Sequence, residues 1–302
     1  MTKPTTSSYL LLFLQGAIWG SSFQAIKFAL VSYGPMTIAA GRITLAAIVL
    51  IGYALLRGHK FPREFKTIML LSVVGFFNCA LPFFLISWGE LSLDSGRTAI
   101  FMATGPLIAL AIAHFTSDER LNRFKSTGFL MGFVGVLMVI GLSTFLHSDA
   151  ALLPQLAIIL AATSYAISGA IVKFIKEVSS SMLTASVLLS ASIMTVPASL
   201  LFESPLSVTF SGNAQSALLA ILYLGLIPTG LAFLIRFHLL KKVGYTFVSQ
   251  VGYLVPMFGV LFGVLIFQEA ITLSIITGLA LILSGIVVSR IEPEKIVSPK
   301  VT

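Results

Sequence analysis

The sequence consists largely of apolar stretches, each about as long as a helix that crosses a membrane, and these follow one another from residue 8 to residue 290. A bilayer core of about 30 Å is spanned by roughly 20 helical residues. Division at polar residues, Pro and Gly predicts ten spans, at residues 8–31, 35–56, 67–89, 95–115, 126–146, 152–174, 182–202, 216–239, 246–268 and 272–290. The predicted fold is therefore an all-α membrane protein with ten transmembrane helices.

Composition excludes the other common classes of protein. The chain is 57% hydrophobic and 10% charged, whereas soluble domains are about 45–50% apolar and about 25% charged. This apolar fraction also excludes a disordered chain, and the single cysteine, Cys79, excludes a disulfide scaffold. The apolar runs are continuous rather than alternating, which is unlike the strands of an outer-membrane barrel.

The basic residues predict how the chain is oriented. If the N-terminus is cytoplasmic, the predicted cytoplasmic segments contain fifteen of the 19 Lys and Arg residues, and the outer segments contain only Arg97. The fifteen are Lys3, Arg57, Lys60, Arg63, Lys66, Arg120, Arg123, Lys125, Lys173, Lys176, Lys241, Lys242, Arg290, Lys295 and Lys300. This asymmetry predicts cytoplasmic N- and C-termini. It also explains the net charge of +8 without a nucleic-acid partner; the expected surroundings are the lipid bilayer.

Landmarks about 150 residues apart indicate an internal repeat, although chance recurrence of common residues is the alternative. The matching landmarks are Trp19 with Tyr165, Lys27 with Lys173, Pro82 with Pro228, Pro106 with Pro256, Glu119 with Glu269, Gly128 with Gly278, and Gly135 with Gly285. We predict a first repeat at residues 1–147, with helices one to five, and a second at 148–302, with helices six to ten and a short cytoplasmic tail. Because five is odd, the second repeat is inverted, a plan that recurs in secondary transporters with a site at the midplane.

Several of these motifs resemble the EamA-type branch of the drug/metabolite transporter superfamily. Trp19 to Phe23 is similar to the WG-small-x-F pattern of that family's first helix, and Pro256, Glu269, Gly278 and Gly285 resemble its P…GE…G…G ending. Gln268 stands where glycine is usual. The resemblance implies two five-helix EamA repeats, no bound cofactor, and movement of small metabolites, often amino acids or related compounds, outward across a bacterial inner membrane.

Aromatic residues near the membrane centre are candidates for the wall of a substrate cavity. Trp19 lies roughly 16 Å into the first predicted helix, and Tyr165 has a matching depth in the sixth. Tryptophan and tyrosine are usually enriched at the membrane interfaces, so a central pair indicates either a cavity wall or ordinary helix packing. Phe23 of the same first-helix motif is included in the predicted site.

Embedded basic residues are the second set of candidates. Arg42 lies about 10 Å into the second helix, where it must face protein, water or an anion rather than lipid. It either binds an anionic substrate or hydrogen-bonds to helix-end carbonyls and polar neighbours. Lys27 is closer to the outer end of its helix, so it either extends to the interface or contributes to the site.

Polar side chains within the spans form the third set. Asn78, Gln250 and Tyr253 lie in the third and ninth predicted helices. Polar groups buried in a membrane need partners, and either another helix or a ligand would provide them. No Asp or Glu falls in the middle of a span, and Glu90 is placed at an outer end or loop, which argues against a proton-driven exporter of cationic drugs.

Together these features predict a secondary transporter that moves amino acids or related carboxylates across the cytoplasmic membrane, with export as the expected direction. The predicted substrate-binding residues are Trp19, Phe23, Lys27, Arg42, Asn78, Tyr165, Gln250 and Tyr253; no catalytic, cofactor or metal site is expected. Glycine pairs spaced as GxxxG indicate close helix packing, within one chain or in a homodimer. The alternatives are a multidrug or other metabolite carrier of the same fold, a channel, or an integral-membrane enzyme that modifies lipids, although the chain lacks that enzyme's paired carboxylates.

Overall fold

The structure is a computed structural model that describes residues 3–116, 123–140, 152–208 and 212–289. These residues form ten helical spans: α1 (Thr6–Gly20 and Ser22–Leu30), α2 (Pro35–Leu56), α3 (Phe65–Gly89), α4 (Ser95–Met102 and Gly105–Thr116), α5 (Arg123–Ile140), α6 (Leu152–Val172), α7 (Ser180–Phe202), α8 (Gly212–Lys242), α9 (Val251–Phe267) and α10 (Leu273–Ser289). The first eight are long and apolar enough to cross a membrane, and α9 and α10 are shorter apolar helices. The ten-helix prediction is confirmed. The predicted residues 141–146 of the fifth span, and the landmark Glu119, lie outside the described residues.

Helix α2 begins where the sequence predicts, because Pro35 fixes the first helical residue and leaves no N–H to satisfy. The next two amides, of Met36 and Thr37, donate to the carboxylate of Glu203 at the end of α7, at 2.9 and 2.7 Å. Hydroxyl contacts between α2 and α7 continue inward, with Thr44 Oγ1 and Ser192 Oγ 2.7 Å apart. The helix pair is thus held where α2 begins by a cap supplied from the end of α7.

Helices α5 and α10 pack at very short range through glycines. A Cβ atom built on Gly135 would lie 2.7 Å from the carbonyl oxygen of Gly278, and one on Gly285 would lie 2.9 Å from the backbone nitrogen of Gly132. Two backbones can approach this closely only where side chains are absent. Gly132, which forms a predicted GxxxG pair with Gly128, is therefore used for packing within the chain. The predicted homodimer stays a prediction.

Two helices contain a wide π-helical segment near the middle of the bundle. The segment in α3 is Phe76–Ala80, followed by Pro82, and the segment in α8 is Gly225–Leu231, which includes Pro228. A π segment leaves the regular i to i−4 hydrogen bonding of the helix, and proline removes one donor as well. Both segments therefore offer backbone carbonyls to side chains of neighbouring helices.

Candidate functional site

The embedded guanidinium of Arg42 forms the centre of the candidate site. Arg42 is only 5% exposed, and its Nε and Nη2 atoms donate to Thr229 Oγ1 in the π segment of α8, at 3.3 and 3.1 Å. The Thr229 hydroxyl in turn donates to the Leu224 carbonyl at 2.8 Å. Within the described residues no carboxylate oxygen lies within 4.0 Å of this guanidinium, so its charge is stabilised by a hydroxyl and by aromatic groups.

The aromatic contact of Arg42 comes from α3, and a tyrosine of α6 packs against that ring. Its Cζ atom lies 3.9 Å from the centroid of the Phe83 ring, a distance suited to a cation–π interaction. The Phe83 ring meets Tyr165 edge to face, with the centroids 6.5 Å apart. Tyr165, predicted from its depth and from its match to Trp19, therefore packs against the ring that contacts Arg42. Helices α2, α3 and α6 each contribute one residue to this group.

Trp19 reaches the same π segment from α1. Its indole Nε1 donates to the carbonyl of Pro228 at 2.8 Å, one residue before the threonine that Arg42 contacts. The guanidinium of Arg236 lies over the Trp19 ring, at 5.7 Å from its centroid. Because Pro228 and Thr229 are consecutive, the structure brings Trp19 and Arg42 to neighbouring residues of one helix.

The π segment of α3 has a matching set of contacts with α6. Asn78 Nδ2 donates to Ser168 Oγ at 2.6 Å, and Ser164 Oγ donates to the carbonyl of Phe77 at 2.7 Å. The predicted site residue Asn78 is therefore partnered by another helix, which is one of the two roles that the sequence left open.

The remaining predicted residues are more dispersed. Phe23 is 5% exposed and packs in the main core, beside Gly259, while Lys27 is half-buried toward the C-terminal end of α1. Tyr253 is partly buried against the main core. Gln250 is exposed and immediately precedes α9. The structure breaks the predicted ninth helix there, so Gln250 lies at a helix start rather than within a span.

A polar cluster joins α1, α4 and the α9–α10 loop toward the end of the bundle that the sequence predicts to face outward. Gln24 Nε2 donates to Ser95 Oγ at 3.0 Å and to the Gly259 carbonyl at 2.9 Å. The carboxylate of Glu269 accepts the backbone amides of Ser95 and Gly96, each at 2.8 Å, and also the Ser95 hydroxyl. We call Gln24, Ser95, Gly259 and Glu269 the outer latch. It links α1 and α4 to α9 and the loop that follows it.

Glu90, directly after the last residue of α3, is more enclosed than its predicted place at an outer end or loop suggests. Only 1% of the residue is exposed, and neither carboxylate oxygen has a hydrogen-bond partner in the part of the chain that the structure describes. Its neighbour Gly89 packs against α6, where an added Cβ would lie 3.2 Å from the Pro154 carbonyl. The sequence places Glu90 at the end of the third span but gives no sign that it is buried.

Sequence reasoning also missed Phe83 and Thr229, although both contact Arg42. Phe83 is one of 24 phenylalanines, and an apolar ring in an apolar span carries no distinguishing signal. Thr229 follows Pro228. This proline is the available signal, because a proline within a helix frees a carbonyl that polar side chains can contact. Among the residues that the structure describes, no group of three or more His, Cys, Asp or Glu could hold a metal ion.

Comparison with known proteins identifies relatives along nearly the whole chain. A model of the EamA-like transporter family matches twice, at residues 6–141 and 152–291. The uncharacterized transporter YoaV of Bacillus subtilis is 26% identical over 276 residues, which cover 89% of this chain and 91% of YoaV. The uncharacterized inner membrane transporter YedA of Escherichia coli K12 is 26% identical, covering 89% of this chain and 85% of YedA.

A solved crystal structure has the same fold. It superposes with a TM-score of 0.68 at 22% identity and covers 95% of this chain and 97% of the other. At this identity the likeness supports the arrangement of the helices and says nothing of the substrate.

Proposed function

We propose that this chain, which belongs to the EamA-like transporter family, moves amino acids or related small carboxylates across the cytoplasmic membrane by alternating access. The observation that carries the substrate class is the buried guanidinium of Arg42, which has donors available and no carboxylate within 4.0 Å among the described residues. A substrate carboxylate would meet a planar arginine fork in the geometry that both groups favour.

The neighbours of Arg42 favour a solute with an apolar part next to its carboxylate. The Phe83 ring contacts the guanidinium, and Tyr165 packs against Phe83. The Trp19 indole donates to the Pro228 carbonyl, next to the threonine that Arg42 contacts. An amino acid or a similar metabolite would place its carboxylate on Arg42 and its side chain against these rings. Transport of lipophilic cations, the multidrug alternative, would require the substrate to approach an unneutralised positive charge.

The arrangement of the helices supports alternating access. We propose that residues 1–147 and 148–302 are inverted repeats, because the family model matches each half separately and because α3 and α8 carry π segments at corresponding places. The outer latch joins helices of the first proposed repeat to residues of the second, so opening toward the outside requires its bonds to break. We further propose cytoplasmic termini and export as the working direction.

Counterflow in proteoliposomes tests the proposed function. Vesicles loaded with unlabelled solute are assayed for uptake of the same labelled compound, with a panel of amino acids, other carboxylates and lipophilic cations. We expect saturable counterflow for at least one carboxylate, and no counterflow with cations. Flux of cations alone would overturn the substrate class, and flux that neither saturates nor shows counterflow would indicate a channel.

A matched pair of variants tests whether carboxylate counterflow depends on Arg42. Arg42→Gln removes the charge at the centre of the bundle, whereas Arg57→Gln removes an exposed charge directly after the same helix. We expect only the first change to weaken carboxylate counterflow. Equal rates in both variants would remove Arg42 from the proposed site.

A further inference from the structure

Glu90 is a buried acid that has no role in the proposed binding of a substrate carboxylate. It lies at the end of α3, 1% exposed, with both oxygens lacking a hydrogen-bond partner in the described part of the chain. An ionised carboxylate in such a place would lose its hydration with little in return. The protonated form costs much less to bury, so the observed surroundings favour a neutral Glu90.

The charged groups around Glu90 are few and lie on identified elements. Lys27 of α1 favours its ionised form, Glu269 of the α9–α10 loop opposes it, and Arg42 of α2 contributes a weaker attraction. Helix α6, which packs on the end of α3, has no charged residue between Leu152 and Val172. Asp94 and Arg97 at the start of α4 face each other at 3.8 Å and are partly exposed.

Burial is the largest of these influences. It raises the pKa of the Glu90 carboxyl well above its usual range, and the attraction of Lys27 only partly opposes this shift. Glu90 interacts with both Lys27 and the latch residue Glu269. Opening of the outer end would admit water to this region, which lowers the cost of the charged form and leaves Lys27 to stabilise it.

We propose that Glu90 is a proton-binding site whose occupancy stabilises the closed outer end of the transporter. The inference rests on the proposed alternating access and adds a ligand, the proton, to it. A proton that binds the closed state more tightly must favour that state, and its release must favour opening. The outer end should therefore open more readily as pH rises, with the proton leaving Glu90 for outer water.

Two measurements made without any solute test this site. The first is infrared spectroscopy of purified protein at pH 7, where a protonated carboxyl group gives a C=O stretching band separate from that of a carboxylate. We expect such a band in the unchanged protein, its loss in Glu90→Gln, and its retention in Asp94→Asn, which removes a nearby exposed carboxylate. A Glu90 carboxylate that is ionised at pH 7 would overturn the proposal.

The second measurement follows the outer end itself. Spin labels are attached at Ser92→Cys and Ala270→Cys, two exposed positions on the outer loops, in a chain whose buried Cys79 is replaced by alanine. Between pH 5 and pH 9 the population at the longer distance should rise in the unchanged protein and in Asp94→Asn. It should stay low in Glu90→Gln. A distribution that does not change with pH, or that shifts equally in Glu90→Gln, would contradict the coupling.

These results are separable from those on the proposed function. If counterflow fails for the whole panel, the substrate class is wrong, while the infrared band and the label distances still report on Glu90. If counterflow succeeds and the band is absent, the transporter stands without this proton site.

Discussion

The guanidinium of Arg42 lies 3.9 Å from the centre of the Phe83 ring, so one side of the embedded charge rests on an aromatic face. This contact positions the guanidinium without neutralising it. Its hydrogen bonds to Thr229 hold Nε and Nη2 on the side of α8, and together the two contacts restrain the plane of the group.

Replacing Arg42 by lysine should weaken carboxylate transport less than replacing it by glutamine. Lysine keeps the charge but cannot form the planar two-point contact. Hydrogen bonds to charged groups contribute about 1.5–3 kcal/mol, so we expect the half-saturating concentration to rise by roughly 10- to 100-fold in Arg42→Gln and by less in Arg42→Lys. Concentration-dependent counterflow measures both, and equal values for the two variants would argue against a bidentate contact.

Trp19→Phe should destabilise the fold while keeping a ring at the site. Phenylalanine lacks the indole N–H that donates to the Pro228 carbonyl, and a buried acceptor without its donor costs about 1–3 kcal/mol. Trp88→Phe is the matched control, because Trp88 is the other tryptophan and is 36% exposed. Thermal unfolding in detergent should show a lower midpoint for the first variant only; the same midpoint for both would mean that water replaces the lost donor.

Gly135→Ala should loosen the α5–α10 pair. The added Cβ would lie 2.7 Å from the Gly278 carbonyl oxygen, which belongs to backbone and cannot easily move away. Overpacking of this kind costs about 1–3 kcal/mol. Gly169→Ala in α6 is the control, since nothing lies within 4 Å of its added Cβ and alanine is the better helix former. An unchanged midpoint of unfolding in Gly135→Ala would show that α5 and α10 can move apart to accommodate the methyl group without loss of stability.

Glu203→Ala should destabilise the start of α2. The carboxylate accepts two amides there, from Met36 and Thr37, and loss of a helix N-cap costs about 0.5–2 kcal/mol. Glu203→Gln keeps one acceptor oxygen and should lose a smaller part of this stability. Hydrogen exchange at Met36 and Thr37 measures the effect directly, and unchanged protection in Glu203→Ala would contradict a capping role.

The stability of the protein should fall as pH rises through the native pKa of Glu90. At low pH the carboxyl is protonated in both the folded and unfolded states. Burial raises its pKa in the folded state, so between the unfolded value of about 4.3 and this raised value the folded state holds more protons, and stability decreases with pH. Glu90→Gln should show a flatter dependence of the unfolding midpoint on pH, and Asp94→Asn should not. If the unfolding midpoint of Glu90→Gln depends on pH as steeply as that of the unchanged protein, groups other than Glu90 cause the decrease.

The parts of the molecule that could be predicted are those set by local chemistry. The bounds of α2, residues 35 and 56, are predictable because proline starts the helix and Arg57 follows its last residue. The family resemblance is confirmed because its motifs consist of residue types at fixed spacings. Placing Arg42 inside the protein followed from the cost of exposing a charge to lipid.

The parts that could not be predicted depend on contacts between distant segments. Glu90 and Asp94 stand four residues apart in the same polar region of the sequence, yet the first is buried and the second is exposed. The partners of Arg42 on α3 and α8 depend on how three helices cross. Gln250 was placed within a helix because an apolar run does not reveal where its hydrogen bonding is interrupted.

The π segments of α3 and α8 have a consequence for any experiment that scans these helices residue by residue. Each wide turn accommodates about one residue more than an α-helical turn, and one residue corresponds to about 100° of rotation. A periodic pattern of solvent labelling established over Phe65–Gly75 will therefore be out of phase over Leu81–Gly89, and the same holds across Gly225–Leu231. Helical wheels for α3 and α8 must be drawn separately on the two sides of each segment.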